Sequence, residues 1–209
     1  MFISFEGVDG SGKSTQAKLL AQKLIDMGYD VVLTREPGGS IGAEEIRALV
    51  LEGDPDRWSA ETELLLFTAA RRDHLEKTIR PALKAGKIVI CDRFADSTRV
   101  YQGTTRGDLL ARVNALHETM IGVEPDMTIL VDIDPKLGLS RAKSRQTVEE
   151  RFEDFGLEMQ IKMRAAFLDL AQAETRFELI DGAQEIDQVF ENIIDTVLPR
   201  LENAHRSQA

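Results

Sequence analysis

Gly7-Val8-Asp9-Gly10-Ser11-Gly12-Lys13-Ser14 is the first stretch whose residue types could do chemistry, and it satisfies G-x-x-x-x-G-K-[ST]. Its glycines let the backbone curl until the N–H groups of Gly7 to Thr15 face inward around phosphate oxygens. A helix starting near Lys13 adds its positive N-terminal end. Lys13 is expected to reach the β- and γ-phosphates, and Ser14 to ligate Mg²⁺ through its hydroxyl. A second candidate, Asp92-Arg93-Phe94, ends the apolar run Ile88–Cys91. A carboxylate at the C-terminal edge of a parallel strand sits where such sheets bind ligands. Asp92 is therefore expected to hold Mg²⁺ through water, and Arg93 to grip phosphate with its two-pronged guanidinium. A third is the basic stretch 141–151, where Arg141, Lys143, Arg145 and Arg151 outnumber Glu149 and Glu150. Beside a phosphate-binding loop, such a stretch is expected to form a mobile lid at about 141–153. Its arginines would neutralise charge on a transferring phosphoryl group.

Elements that could hold these groups in place recur along the chain as a short apolar run followed by a long amphipathic one. Phe2–Phe5, Val31–Leu33, Ile88–Cys91, Thr128–Val131 and Phe177–Ile180 are predicted strands. They are apolar on consecutive residues, as in strands buried on both faces of a parallel sheet. Between them, a helix over Lys13–Met27 is expected to close at Gly28. A second, over Ala60–Ala85, follows the N-cap candidate Ser59 and closes at Gly86, and another begins at Pro135. Residues 36–42, 53–55 and 103–107 are expected to be loops. Alternating strands and helices predict one three-layer α/β domain spanning 1–209, with about five parallel strands and right-handed crossovers.

Composition bounds the partners. The 209 residues carry 26 basic and 36 acidic side chains, a formal net charge of −10, and 43% are hydrophobic. That share can fill a core and rules out a disordered chain. No apolar run approaches the ~18 residues of a membrane span, and Met1–Glu6 lacks the features of a signal peptide. The lone Cys91 excludes a disulfide framework and fits a reducing cytoplasm; it is expected to be a small core residue. An acidic chain with pI near 4.9 argues against DNA, RNA and anionic membranes as partners. Residues 1–151 hold 21 basic and 24 acidic residues, whereas 152–209 hold 5 and 12, so most of the negative excess lies beyond the motifs. A mononucleotide, held by a few aimed cations, remains compatible.

Four segments in order carry a family resemblance: Phe5–Thr15, Thr34-Arg35-Glu36-Pro37-Gly38-Gly39, Leu66-Phe67-Thr68-Ala69-Ala70-Arg71-Arg72 and Asp92–Gly103. Their sequence and spacing resemble the thymidylate kinases, and the likeness extends to about residue 205. The resemblance implies a P-loop nucleoside-monophosphate kinase fold and transfer of the γ-phosphoryl of ATP to dTMP, giving dTDP, with Mg²⁺. It implies that Phe67 stacks on the thymine and Arg71 donates to a thymine carbonyl. Thr98 and Gln102 would address the base, Ser97 would line the substrate site, and Tyr101 would crowd the sugar 2′ position. Arg47 and Arg93 would grip the monophosphate, and Glu36 and Pro37 would shape the nucleotide site, with a cis bond before Pro37 compatible with the motif. Asp9 would lie near the sugar 3′-hydroxyl and the metal, and Arg141 would contact ATP. Gly10 stands where one type of the family carries a basic residue, so the chain resembles the bacterial type, whose catalytic arginine is in the lid. Arg151, then Arg145, are the candidates. A cytoplasmic homodimer is also implied, with the helices 60–85 and 108–121 as contact.

The reaction needs no protein base, because the acceptor phosphate has a second pKa near ~6 and is already nucleophilic at neutral pH. His74, His117 and His205 are therefore expected to be ordinary, partly exposed residues, and Met159 and Met163 to share a core-facing helix side. Other functions stay open at this point. One is another nucleoside-monophosphate or deoxynucleoside kinase. A second is a P-loop switch or partitioning ATPase, which would lack a deep second-nucleotide pocket. The GTPase version lacks an Asn-Lys-x-Asp motif. The intact Lys13, Ser14, Asp92 and Arg93 argue against a merely nucleotide-binding module.

Overall fold

The computed structural model describes residues 1–52, 57–104, 108–143 and 156–206, with the backbone alone at 143 and 203–206. Five strands, β1 Phe2–Glu6, β2 Val31–Arg35, β3 Ile88–Asp92, β4 Met127–Asp132 and β5 Phe177–Asp181, form one sheet in the order β2-β3-β1-β4-β5. All four pairings are parallel. Each strand matches a predicted one and runs one or two residues further. The register sets Phe5 of β1 beside Asp92 of β3, so Asp92 emerges next to the loop that follows β1.

Alternation along the strands sorts side chains between two faces. On one face, Ile3, Phe5, Ile90, Ile129 and Val131 pack against Leu20 and Leu24 of α1 (Lys13–Asp26). Ile193 and Val197 of the C-terminal helix Ile186–Arg206 complete that layer. On the other, Phe2, Val89, Cys91 and Phe94 pack against Leu75 and Ile79. Leu130 and Phe177 meet Met163 and Phe167 of the helix Leu157–Ala173, with Met159 against the same cluster, as expected. Cys91 is wholly buried, and burial pushes its thiol well up, as befits a core residue.

Three helical details differ from expectation. The run expected over 60–85 is helical through Lys84, as α3 (Ala60–His74), a π turn (Leu75–Ile79) and α4 (Arg80–Lys84). Pro81 has no N–H to give to Lys77 and its ring crowds that carbonyl, and the wider π turn just before it accommodates both. Residues 36–42 are not all loop. Ser40 caps α2 (Ile41–Leu51), accepting from the Ala43 N–H at 3.4 Å, so Gly42 lies inside a helix. Finally, Asp92–Gly103 turns at once into α5 (Ala95–Thr98) and a π turn, Arg99–Thr104, so 103 and 104 are helical. The other loop expectations, 53–55 and 105–107, lie outside the described residues, as does the lid stretch 144–155 with Arg145 and Arg151. Helix α6 (Leu110–Leu116) continues as a π turn, His117–Ile121, and α7 spans Pro135–Lys143. No described helix is long and apolar enough to cross a membrane.

Candidate active site

The loop after β1 takes positive φ at Gly7, Gly10 and Gly12 before α1 begins at Lys13. Two of its close approaches admit only glycine. A Cβ on Gly10 would stand 2.0 Å from the carbonyl oxygen of Gly138, and one on Gly138 would stand 2.7 Å from that of Asp9. Helix α7 thus lies directly on the loop, and no side chain fits at position 10 in this arrangement. Lys13 is buried, with Nζ 3.2 Å from the Val8 carbonyl oxygen and 3.7 Å from Asp9 Oδ1. Burial and then the neighbouring Arg93 push its ammonium below the usual lysine value. An ammonium held that way, in a dry loop, gains strongly from an arriving polyanion.

Arg93 is the one non-glycine residue at positive φ (71°) among those described. Such backbone is sparsely populated and persists where surrounding contacts enforce it. Those contacts are dense. Nη1 donates to the Gly7 carbonyl (3.3 Å) and Ser97 Oγ (3.0 Å), and Nη2 to Asp9 Oδ1 (2.5 Å) and Tyr101 Oη (3.1 Å). Tyr101 in turn donates to Asp9 Oδ2 at 3.2 Å. Burial alone would raise Asp9, but the Arg93 and Lys13 charges hold it below the usual carboxylate value.

Two adjoining cavities meet at this cluster. One is lined by Asp9, Glu36, Pro37, Arg47, Phe67, Arg71, Arg93, Ser97, Thr98, Tyr101 and Gln102, together with Leu51 and Phe94. Every residue that the family resemblance implied for the substrate is thus brought to one cleft. The other includes Asp9, Gly10, Lys13, Ser14, Lys18, Asp92 and Arg93. Asp9, Glu36, Arg47 and Arg93 border both. The Glu36–Pro37 bond is cis, and the Pro37 carbonyl accepts from Arg47 Nη1 at 2.5 Å. Arg71 is buried, donating from Nε to Glu36 Oε2 (2.6 Å) and from Nη2 to the Phe94 carbonyl and Thr98 Oγ1 (3.0 Å each). Gln102 Nε2 is buried on this cleft with no hydrogen-bond partner among the described residues, a donor that awaits an acceptor. Arg141 lines neither cavity, although the adjacent Ala142 borders the second, and its Nη1 donates to the Gly182 carbonyl (2.9 Å) after β5.

For a divalent cation, the donor set is Ser14 and Asp92 in the second cavity. Asp92 Oδ1 is buried without a hydrogen-bond partner among the described residues. An orphaned carboxylate oxygen beside a phosphate-binding loop fits a hard, hydrated cation, bound in part through water.

The expectation of partly exposed histidines is overturned at two positions. His74 is 0% exposed, with Nδ1 2.9 Å from Glu36 Oε1 and Nε2 2.8 Å from Thr34 Oγ1. His117 is buried beside Glu124 (Nε2–Oε1 3.0 Å). His74 is buried with partners remote in sequence at both ring nitrogens, whereas His117 meets Glu124, which is close to it along the chain. The side chain of His205 lies outside the described residues.

Glu6 was also missed as a structural acid. Its Oε1 accepts from the N–H groups of Phe94 (2.8 Å) and Ser97 (3.2 Å), and its Oε2 from Ser97 Oγ (2.6 Å), so it fixes the start of α5. Burial first, and the adjacent Asp96 charge second, push its carboxyl from 4.5 up to about 7. The folded state therefore binds this proton more tightly than the unfolded state. The associated stability is complete below about 4.5 and is lost as pH rises through about 7. At pH 8 the ionised, buried form costs on the order of 3 kcal/mol relative to acid conditions. Glu6→Gln cannot titrate, so its urea-unfolding free energy is expected to fall less than wild type between pH 5 and pH 8. Identical pH slopes in the two proteins would refute the assignment.

A P-loop, a neighbouring aspartate and a second cleft lined by an aromatic ring and three arginines describe a kinase for a small nucleotide, and known proteins agree. The sequence profile of the thymidylate kinase family matches residues 5–193. A thymidylate kinase of Ruegeria pomeroyi is 68% identical over 202 residues, covering 96% of each chain. One of Dinoroseobacter shibae is 63% identical over 193 residues, covering 92% of this chain and 93% of its own. The crystal structure of thymidylate kinase from Ehrlichia chaffeensis has a TM-score of 0.77 at 37% identity, covering 94% of this chain and 97% of that one. With the P-loop in a five-stranded parallel sheet and likeness of this extent along the chain, the protein belongs to the thymidylate kinase family.

Proposed function

We propose that the chain phosphorylates dTMP to dTDP with ATP, the monophosphate in the cleft of Phe67 and Arg71 and the triphosphate on the loop of Lys13. The observation that carries this is the junction of the two cavities at Asp9 and Arg93, where the two phosphate chains would meet. Direct in-line transfer asks the protein for alignment and charge neutralisation. Arg47 and Arg93 would orient the acceptor phosphate, Lys13 and the loop N–H groups the donor. Asp9 and Tyr101, which hold Arg93, would lie beneath the deoxyribose. Phe67 would stack on the thymine, and Arg71, Thr98 and Gln102 would read its edge. Ser14 and Asp92 would hold Mg²⁺, which when bound neutralises developing charge on the phosphates. The segment at about 141–153 would act as a lid, with Arg151 or Arg145 over the transferring group. A switch ATPase has no use for a second cleft lined in this way.

The test is coupled ADP release across nucleoside monophosphates. Preference for dTMP is expected, and comparable turnover on CMP, AMP and dTMP would refute it. Arg71→Ala is expected to lower kcat/KM for dTMP by about tenfold or more, the scale of a lost hydrogen bond to charge. Unchanged dTMP use in a folded Arg71→Ala protein would favour a different monophosphate. A cytoplasmic homodimer is part of the same proposal. For the second copy, Leu65, Leu110 and Met120 stand exposed on the helices expected to supply the contact. A monomer in light scattering at micromolar concentration would remove it.

A further inference from the structure

His74 does not line the substrate cleft, yet it shares the Glu36 carboxylate with Arg71, which does. Arginine–carboxylate pairs favour two parallel N–H···O bonds. Arg164 shows that form in this protein, with Nε on Asp132 Oδ1 and Nη2 on Oδ2, both at 2.7 Å. Arg71 differs. Its Nε takes Glu36 Oε2 at 2.6 Å, but Glu36 Oε1 lies 2.9 Å from His74 Nδ1. Nη2 therefore turns to the Phe94 carbonyl and Thr98 Oγ1.

We propose that His74 is a positioning residue for nucleobase selection: by donating from Nδ1 to Glu36 Oε1, it keeps Arg71 on a single carboxylate oxygen and its guanidinium turned to the base. The inference rests on dTMP as the cleft's substrate. A carboxylate paired with Arg71 only accepts, so Nδ1 carries a proton, and Nε2 meets the Thr34 hydroxyl at 2.8 Å. The ring is held in that pose from outside as well. A Cβ on Gly39 would come within 2.4 Å of both His74 Nε2 and Thr34 Oγ1, so the substrate loop lies against the imidazole edge. Without the Nδ1 donor, Oε1 opens and Arg71 can adopt the Arg164 pose, drawing Nη2 from Phe94 and Thr98 and rotating the fork away from the base.

His74→Asn and His74→Gln separate the two ends of the ring, because the asparagine amide falls near the Nδ1 position and the glutamine amide near Nε2. KM and kcat are measured for dTMP and dCMP, with thermal unfolding of each variant. His74→Asn is expected to keep KM for dTMP within about threefold of wild type. His74→Gln is expected to raise KM about tenfold or more and to lower the dTMP-over-dCMP ratio, with a smaller change in kcat. Equal behaviour of the two variants, or KM changes that only follow loss of thermal stability, would overturn the proposal. So would nitrogen chemical shifts of the wild-type imidazole that place the proton on Nε2, a measurement needing no variant. Failure of the dTMP assignment itself is visible separately, as a wild-type enzyme without preference for dTMP over dCMP.

Discussion

Arg93→Ala is expected to lower kcat for dTMP phosphorylation by about 10³-fold, the scale set by removing a cationic clamp on a transferring phosphoryl group. The size follows from its position. One guanidinium touches the P-loop carbonyl of Gly7, the loop acid Asp9, the helix hydroxyl Ser97 and the phenol of Tyr101, and borders both cavities. Asp9 and Tyr101 raise the affinity of Arg93 for its proton despite burial, so the cation is permanent. Arg93→Lys keeps the charge and loses the fork, and should recover only part of the rate. Arg93→Gly separates chemistry from backbone strain. Glycine accepts φ of 71° freely, so it should fold better than alanine and be equally inactive. Coupled ADP release gives the rates and thermal unfolding the stabilities. A loss of less than tenfold in a folded Arg93→Ala enzyme would take Arg93 out of the phosphate grip.

What the sequence made visible, and what it did not, divides along range. The P-loop is read from eight adjacent residues because its chemistry is local: glycine conformation, helix end, one ammonium. The inner strands β1, β3 and β4 are read because both faces of each are buried, which leaves consecutive apolar residues, whereas the edge strands β2 and β5 keep apolar residues although Leu33 and Leu179 are exposed. Placing Asp92 beside the loop required only that β1 and β3 be neighbours, and they are. The buried polar residues escaped. Glu6 and His74 satisfy their hydrogen bonds with partners up to 91 and 40 positions away, and no periodicity announces such pairs. Arg71 illustrates both sides: the family motif suggested a cleft, and its burial there depends on Glu36, a partner remote in sequence. Local conflicts account for the helix errors. The helix expected across Pro81 forms but widens into a π turn before it, and Ser40–Gly42 read as turn residues although Ser40 is a cap.

Glu36→Ala is expected to destabilise the protein by ~3–5 kcal/mol, the usual result of removing one partner from a buried ion pair. In a chain of this size that corresponds to a fall in Tm of about 10 °C. Glu36 and Arg71 are each 5% exposed, so solvent can do little to replace a lost partner. Removing the carboxylate strips Arg71 Nε and His74 Nδ1 of their acceptor at one stroke. Glu36→Gln should fall between, since one amide oxygen can serve one of the two donors while its NH₂ faces the other. The cost resides in the uncompensated charge more than in the bond, and this can be separated. The double variant Glu36→Met/Arg71→Met carries no buried charge and should be more stable than Glu36→Ala alone, although it can no longer read the base. Urea unfolding of wild type, the two single variants and the double variant measures this. A Glu36→Ala protein within ~1 kcal/mol of wild type would mean that water or another acceptor reaches Arg71, and that the pair is not the dry contact its burial indicates.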